Sequence, residues 1–265
     1  MTDMAGSDEA SRPGRPWGRM VAAQIVAYAL MCAALAACWW GVLPQLGVSV
    51  IAVVILAVFV VGWPFETFGP RAGLAERVTT AVFGLVSIGI ASWAGAGQGL
   101  AGPGPRNAGW GPVAPALVWF ADTMVGFWAF AFIVMAVVLV VIGFIRQMAR
   151  ERRDHLIRFL STSLLGGIAA ISLGGWVVVA RFWPAWHTAS VNGSTQIGFA
   201  TLPVALWSIL VVLMAVALFV ASCRWWAWVS HGPRTSLAWL GFGLLPMMCA
   251  GLLPFLATAG LLVIA

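Results

Sequence analysis

Long apolar runs alternate along the chain with short stretches that are charged or rich in Gly and Pro. Seven of the runs have the length of a membrane span, over about 20–42, 48–63, 78–94, 123–145, 159–180, 200–222 and 236–264. A helix of roughly 20 apolar residues crosses the ~30 Å of bilayer hydrocarbon. Residues 1–19 are polar and read as a disordered cytoplasmic tail. Gly41 to Gly47, with Pro44, forms an uncharged turn between the first two spans, and Phe65 to Arg77 forms a loop carrying Glu66, Arg71, Glu76 and Arg77. Residues 95–115 hold seven Gly and four Pro, which leaves an irregular connection. Residues 20–265 form a single helical domain on this reading.

Length assigns the fourth span. Asp122 and Arg146 are 24 steps apart, about 36 Å of helix, already more than the hydrocarbon thickness. The span is therefore 123–145, and residues 113–121 lie at the interface or dip in from outside. Arg158 to Arg181 gives a fifth span of matching length, antiparallel to the fourth. The seventh run overshoots the membrane at about 45 Å if straight, and Pro246 and Pro254 are its candidate breaks.

Composition makes the solvent plain. With 62% hydrophobic and 8% charged residues in 265, the chain lacks the roughly one-quarter charged content of soluble domains. The expected fold is an all-α polytopic transmembrane bundle of about seven spans. The motif Leu35-Ala36-Ala37-Cys38 has the form of a lipoprotein cleavage site, but Trp39, Trp40 and a further apolar run follow it, so it is read as a helix end.

Charge sets the orientation. The net +6 comes from Arg alone, with no Lys, which suggests a bacterial chain and its cytoplasmic membrane. With the amino terminus inside, twelve Arg fall on inner segments and only Arg106 and Arg181 outside, as the positive-inside rule requires. The carboxyl terminus is then outside. Trp39, Trp40, Trp93, Trp183 and Trp186 mark outer helix ends, and Trp63, Trp225, Trp226, Trp228 and Trp239 inner ones. Arg placed at helix ends meets anionic lipid headgroups and does not form a nucleic-acid face.

The candidate chemistry is sparse. Asp122 and Arg181 are expected at the same outer depth on neighbouring helices, as a polar pair or a helix cap. Arg146, Arg150, Arg152, Arg153 and Arg158 form a cytoplasmic patch for lipid contact or for docking a protein partner. Gly166, Gly167, Ala170 and Gly174 make a small-residue ridge for close helix packing, within the chain or between copies. His155, His187 and His231 lie on separate loops and make no zinc site. The absence of Lys excludes a retinal Schiff base, and no P-loop, nucleophile elbow or His-Glu-x-x-His run occurs. No cofactor or metal is expected.

Two functions remain nearly level: a permease-type transport protein or subunit for an apolar or weakly polar solute, and an accessory or scaffold subunit of a membrane complex. A lipid-phase enzyme using Asp122, His187 and Arg181 ranks behind both.

Overall fold

The computed structural model describes residues 17–65, 70–93, 124–148, 156–180 and 237–253, with the isolated positions 213, 216–218, 220, 221 and 224. It is a helical bundle: α1 Trp17–Trp39, α2 Gln45–Gly62, α3 Pro70–Trp93, α4 Met124–Met148, α5 Leu156–Ser172 and α6 Ala238–Ala250. After a turn at Leu173, α5 resumes over 174–180. Five of these helices are long and apolar enough to cross a membrane, and α6 is a shorter apolar one. The chain is a multi-pass membrane protein. Of the sixth expected span, the described positions are helical.

Helix ends follow local chemistry. Gly41 takes φ 72° just beyond α1, a left-handed conformation that glycine adopts without steric cost. The Val42 N–H then returns to the Ala37 carbonyl at 2.9 Å. Trp63 ends α2 in extended geometry, φ −74° and ψ 133°, because the following Pro64 disfavours helical backbone at the residue before it. α3 begins at Pro70 and not at Val78 as the charge pattern suggested, so Glu76 and Arg77 belong to a helix and not to a loop. Proline is well suited to a first helical position, where its missing N–H leaves no gap.

Burial separates central from peripheral helices. In α5, 72% of the spanning positions are buried, against 28% in α1 and in α4. α1 buries the stripe Met20, Gln24, Ala27, Met31, Ala34 and Cys38, while Ile25, Val26 and Leu30 face outward. In lipid, outward aliphatic side chains carry no penalty. Nearly every residue of α6 is buried, Pro246 included. Its thirteen residues span only about 20 Å, and a turn at Gly251 and Leu252 separates it from helical Leu253.

Among the described helices two sets of three pack mutually, and the contacts between the sets are as extensive as the lesser ones within them. α1, α2 and α6 pack on one another, as do α3, α4 and α5, and the groups meet along α2–α3 and α5–α6. Small residues permit the tight crossings. Gly241 lies against the Gly62 carbonyl and Gly243 against the Met20 carbonyl, inside the first group. Gly84 lies against Leu56, and Gly175 and Gly251 bring α5 and α6 backbone to backbone, along the seam.

Candidate functional site

Two polar centres and a few unpartnered groups stand out in this apolar bundle. The first centre is at the end that carries Arg77 and Arg146. The early start of α3 places Glu76 on its second turn, 5% exposed. One carboxylate oxygen, Oε1, lies 3.4 Å from Arg146 Nη1 of α4. The other accepts from the Ser163 hydroxyl of α5. Arg146 Nη1 also donates to Thr79 Oγ1 at 2.8 Å, and the Thr79 hydroxyl donates to the Ala75 carbonyl at 2.8 Å. Both carboxyl oxygens thus have a hydrogen-bond partner, as a buried polar group requires. The Arg146 side chain is 38% exposed while its guanidinium holds Glu76 and Thr79.

The second centre lies deeper, where α5 breaks. The Ser87 hydroxyl of α3 donates to the Ile171 carbonyl at 2.6 Å, and the Trp128 indole N–H of α4 donates to Ser87 Oγ at 3.2 Å. Beside them the Trp176 N–H closes a tighter turn on the Leu173 carbonyl at 3.2 Å. α6 ends against this same break. The Gly251 N–H turns back to Met248, and the Met247 carbonyl accepts the Trp176 indole N–H at 2.9 Å. A helix end leaves carbonyls without intrahelical donors, and in lipid the protein must supply them. Here α5 supplies one. Two interrupted helices therefore meet on the seam, with Gly175 and Gly251 in backbone contact.

Gln24 Oε1, Tyr28 Oη and Trp63 Nε1 are buried without a hydrogen-bond partner among the described residues. Trp63 is fully buried against Phe59, Phe242 and Gly166. It is a core residue and not a member of the interfacial belt. Trp39, Trp40 and Trp93, by contrast, are exposed at the opposite end, as that belt requires.

The sequence candidates are placed as follows. Gly166 faces Trp63, Gly167 faces Leu139 of α4, Ala170 approaches Gly84 of α3, and Gly174 faces Ser87 and Trp128. The ridge is thus lined by helices of this same chain. Arg146 turns inward to Glu76 and Thr79. Pro246 lies inside α6, which continues through it to Ala250. Asp122, Arg181, Arg150, Arg152, Arg153, Pro254 and the side chain of Arg158 lie outside the described residues.

Glu76 is an acid whose burial the structure describes. Sequence reasoning passed over it because Arg71 and Arg77 beside it made the segment look like a charged loop. The available signal was Pro70 at a helix start followed by apolar Leu74 and Val78 four apart. Among the described residues no group of His, Cys, Asp and Glu could hold a metal. Comparison with family models, curated proteins and solved structures finds no match.

Proposed function

We propose that the protein is a permease-type transport protein of a cell's plasma membrane for an uncharged, weakly polar solute. The observation that carries this reading is the meeting of two interrupted helices, α5 and α6, on the seam between two three-helix groups. Secondary transporters place their sites at such discontinuities, because unwound backbone offers polar groups that an intact helix keeps to itself, and they work by moving one bundle against another. The division of labour among contacts fits this reading. Glu76, Arg146, Thr79, Ser163, Ser87 and Trp128 tie α3, α4 and α5 to each other by hydrogen bonds. The seam carries the Ser49–Ser92, Trp176–Met247 and Cys38–Ala180 hydrogen bonds and is otherwise built of small residues and apolar contacts.

Of the contact surfaces for a scaffold role, the described ones are engaged within the chain, and Arg150, Arg152, Arg153 and the Arg158 side chain lie outside the described residues. Arg146 is engaged by Glu76, and the glycine ridge is occupied by helices of its own chain.

The test is flux. Purified protein in liposomes is given osmotic steps of 1,2-propanediol, 1,4-butanediol, 1,6-hexanediol and 2-butoxyethanol, with volume followed by light scattering. At least one solute is expected to enter ten times faster than into empty vesicles, with saturation at high concentration. Rates equal to those of empty vesicles for the whole panel reject transport of this class.

A further inference from the structure

α1 carries two polar side chains one turn apart on its inward side. Gln24 is 3% exposed, and its Oε1 and the Tyr28 hydroxyl are both buried without partners among the described residues. A spacing of four sets them on one helix face. Both side chains lean back over the turn before their own, and α1 meets α6 at the turn that bears Gln24. That turn crosses α6, where Gly243 is pressed against the Met20 carbonyl, Ala23 and the Gln24 backbone nitrogen. The Tyr28 ring in turn meets Trp176 of α5 edge-on, with centroids 6.5 Å apart. On one face of α1, the backbone of the Gln24 turn thus meets α6 and the Tyr28 ring meets α5.

Hydrocarbon offers no water to such groups, and native proteins leave few of them unsatisfied. Their chemistry defines what would satisfy both. The amide oxygen only accepts, so it calls for a donor, whereas the phenolic hydroxyl gives a proton or takes one. A single hydroxyl on an incoming molecule meets both requirements, donating to Gln24 Oε1 and accepting from Tyr28. The residues named here carry no charge, and the Tyr28 and Trp176 rings offer apolar walls to the rest of the molecule.

We infer that Gln24 and Tyr28 form a binding site for an uncharged alcohol, one hydroxyl on an apolar body, at the junction of α1, α5 and α6. The inference deepens the permease reading by naming its solute class and rests on that reading for its transport meaning. Binding itself can be tested without flux.

The probe is an eight-carbon alcohol bearing a diazirine, photolysed with the protein in bilayers, with adducts mapped by mass spectrometry. A matched diazirine alkane without the hydroxyl reports simple partition into lipid. Adducts on α1 and α6 around Tyr28 and Gly243 are expected with the alcohol, at least tenfold above the alkane. They should fall at least fivefold in Gln24→Leu and in Tyr28→Phe, the latter removing only an oxygen. Equal labelling by alcohol and alkane, labelling confined to outward residues such as Ile25 and Val26, unchanged labelling in both variants, or no adduct at all overturns the site. The last result would mean that an ordered water alone fills it. Labelling as expected without flux of any solute would retain the site and reject the permease. Flux without labelling would do the reverse.

Discussion

Glu76 and Arg146 form an unequal pair, and the inequality predicts how each responds to loss of the other. Glu76 is held by a short side chain beneath three helices, whereas Arg146 is 38% exposed on a long stem. In Glu76→Gln the amide can still accept from Ser163, and the freed guanidinium can swing to headgroups, so the loss should be about 1 kcal/mol, as for a partly solvated pair. In Arg146→Met the carboxylate stays buried and loses its countercharge, and the cost should be about 3 kcal/mol. Thermal unfolding midpoints in mild detergent check the order: Arg146→Met should fall well below Glu76→Gln, and the reverse order would show that Glu76 is solvated. Trp63 makes the complementary residue-scale case. Its position at a helix end before proline made it look interfacial, yet it is fully buried, because Gly166 and Gly241 let α5 and α6 close over that end. An end of a helix is visible in one sequence, but what covers it is not.

Glycines sort by what faces them, and at the scale of the helix this decides which can be replaced. At Gly175 an added methyl would overlap the Gly251 carbonyl, and at Gly251 it would overlap the Ser172 carbonyl. Backbone cannot rotate aside as a side chain can, so each Gly→Ala change should cost about 3 kcal/mol, the upper part of the overpacking range. Gly89 on α3 has nothing within 4 Å of that position. There Ala relieves the conformational entropy of a helical glycine, a gain of about 0.5 kcal/mol. Unfolding midpoints of Gly175→Ala and Gly251→Ala well below wild type, with Gly89→Ala equal or higher, would bear this out, and three equal shifts would show that α5 and α6 do not touch there. The same contrast explains how much of each helix was legible. Hydrophobic run length located α1, α2, α4 and α5 to within a few residues, because crossing hydrocarbon demands a fixed length. The start of α3 was hidden by charges that the helix buries or pairs. The end of α6 at Gly251 and the break at Leu173 were hidden because both depend on contact between two helices, and a spacing of small residues does not say which partner fills it.

For the whole molecule, the arrangement as two three-helix groups was not legible in the chain, since the first group joins α1 and α2 to α6 from the far end of the sequence. That non-local pairing is what makes relative motion of the groups conceivable, and it can be arrested. Ser49 of α2 and Ser92 of α3 face each other across the seam, with hydroxyl oxygens 2.8 Å apart. In a background where Cys32, Cys38, Cys223 and Cys249 are changed to Ala, the pair Ser49→Cys and Ser92→Cys is close enough for oxidation to join the two groups. If passage of solute requires one group to rock against the other, the oxidised protein should lose at least 90% of its flux, and reductant should restore it. Each single variant under oxidant controls for damage to the serine itself, since it removes the hydroxyl pair without forming a link. Full flux in the oxidised double variant, with the disulfide verified by mass spectrometry, would show that the seam is static at this end. Solute would then pass, if at all, through a fixed path beside the α5 and α6 breaks. The experiment separates the two because a covalent tie between α2 and α3 restrains motion of the groups, and its effect is read against the reduced double variant, which carries the same Cys38→Ala and Cys249→Ala changes near α5 and in α6.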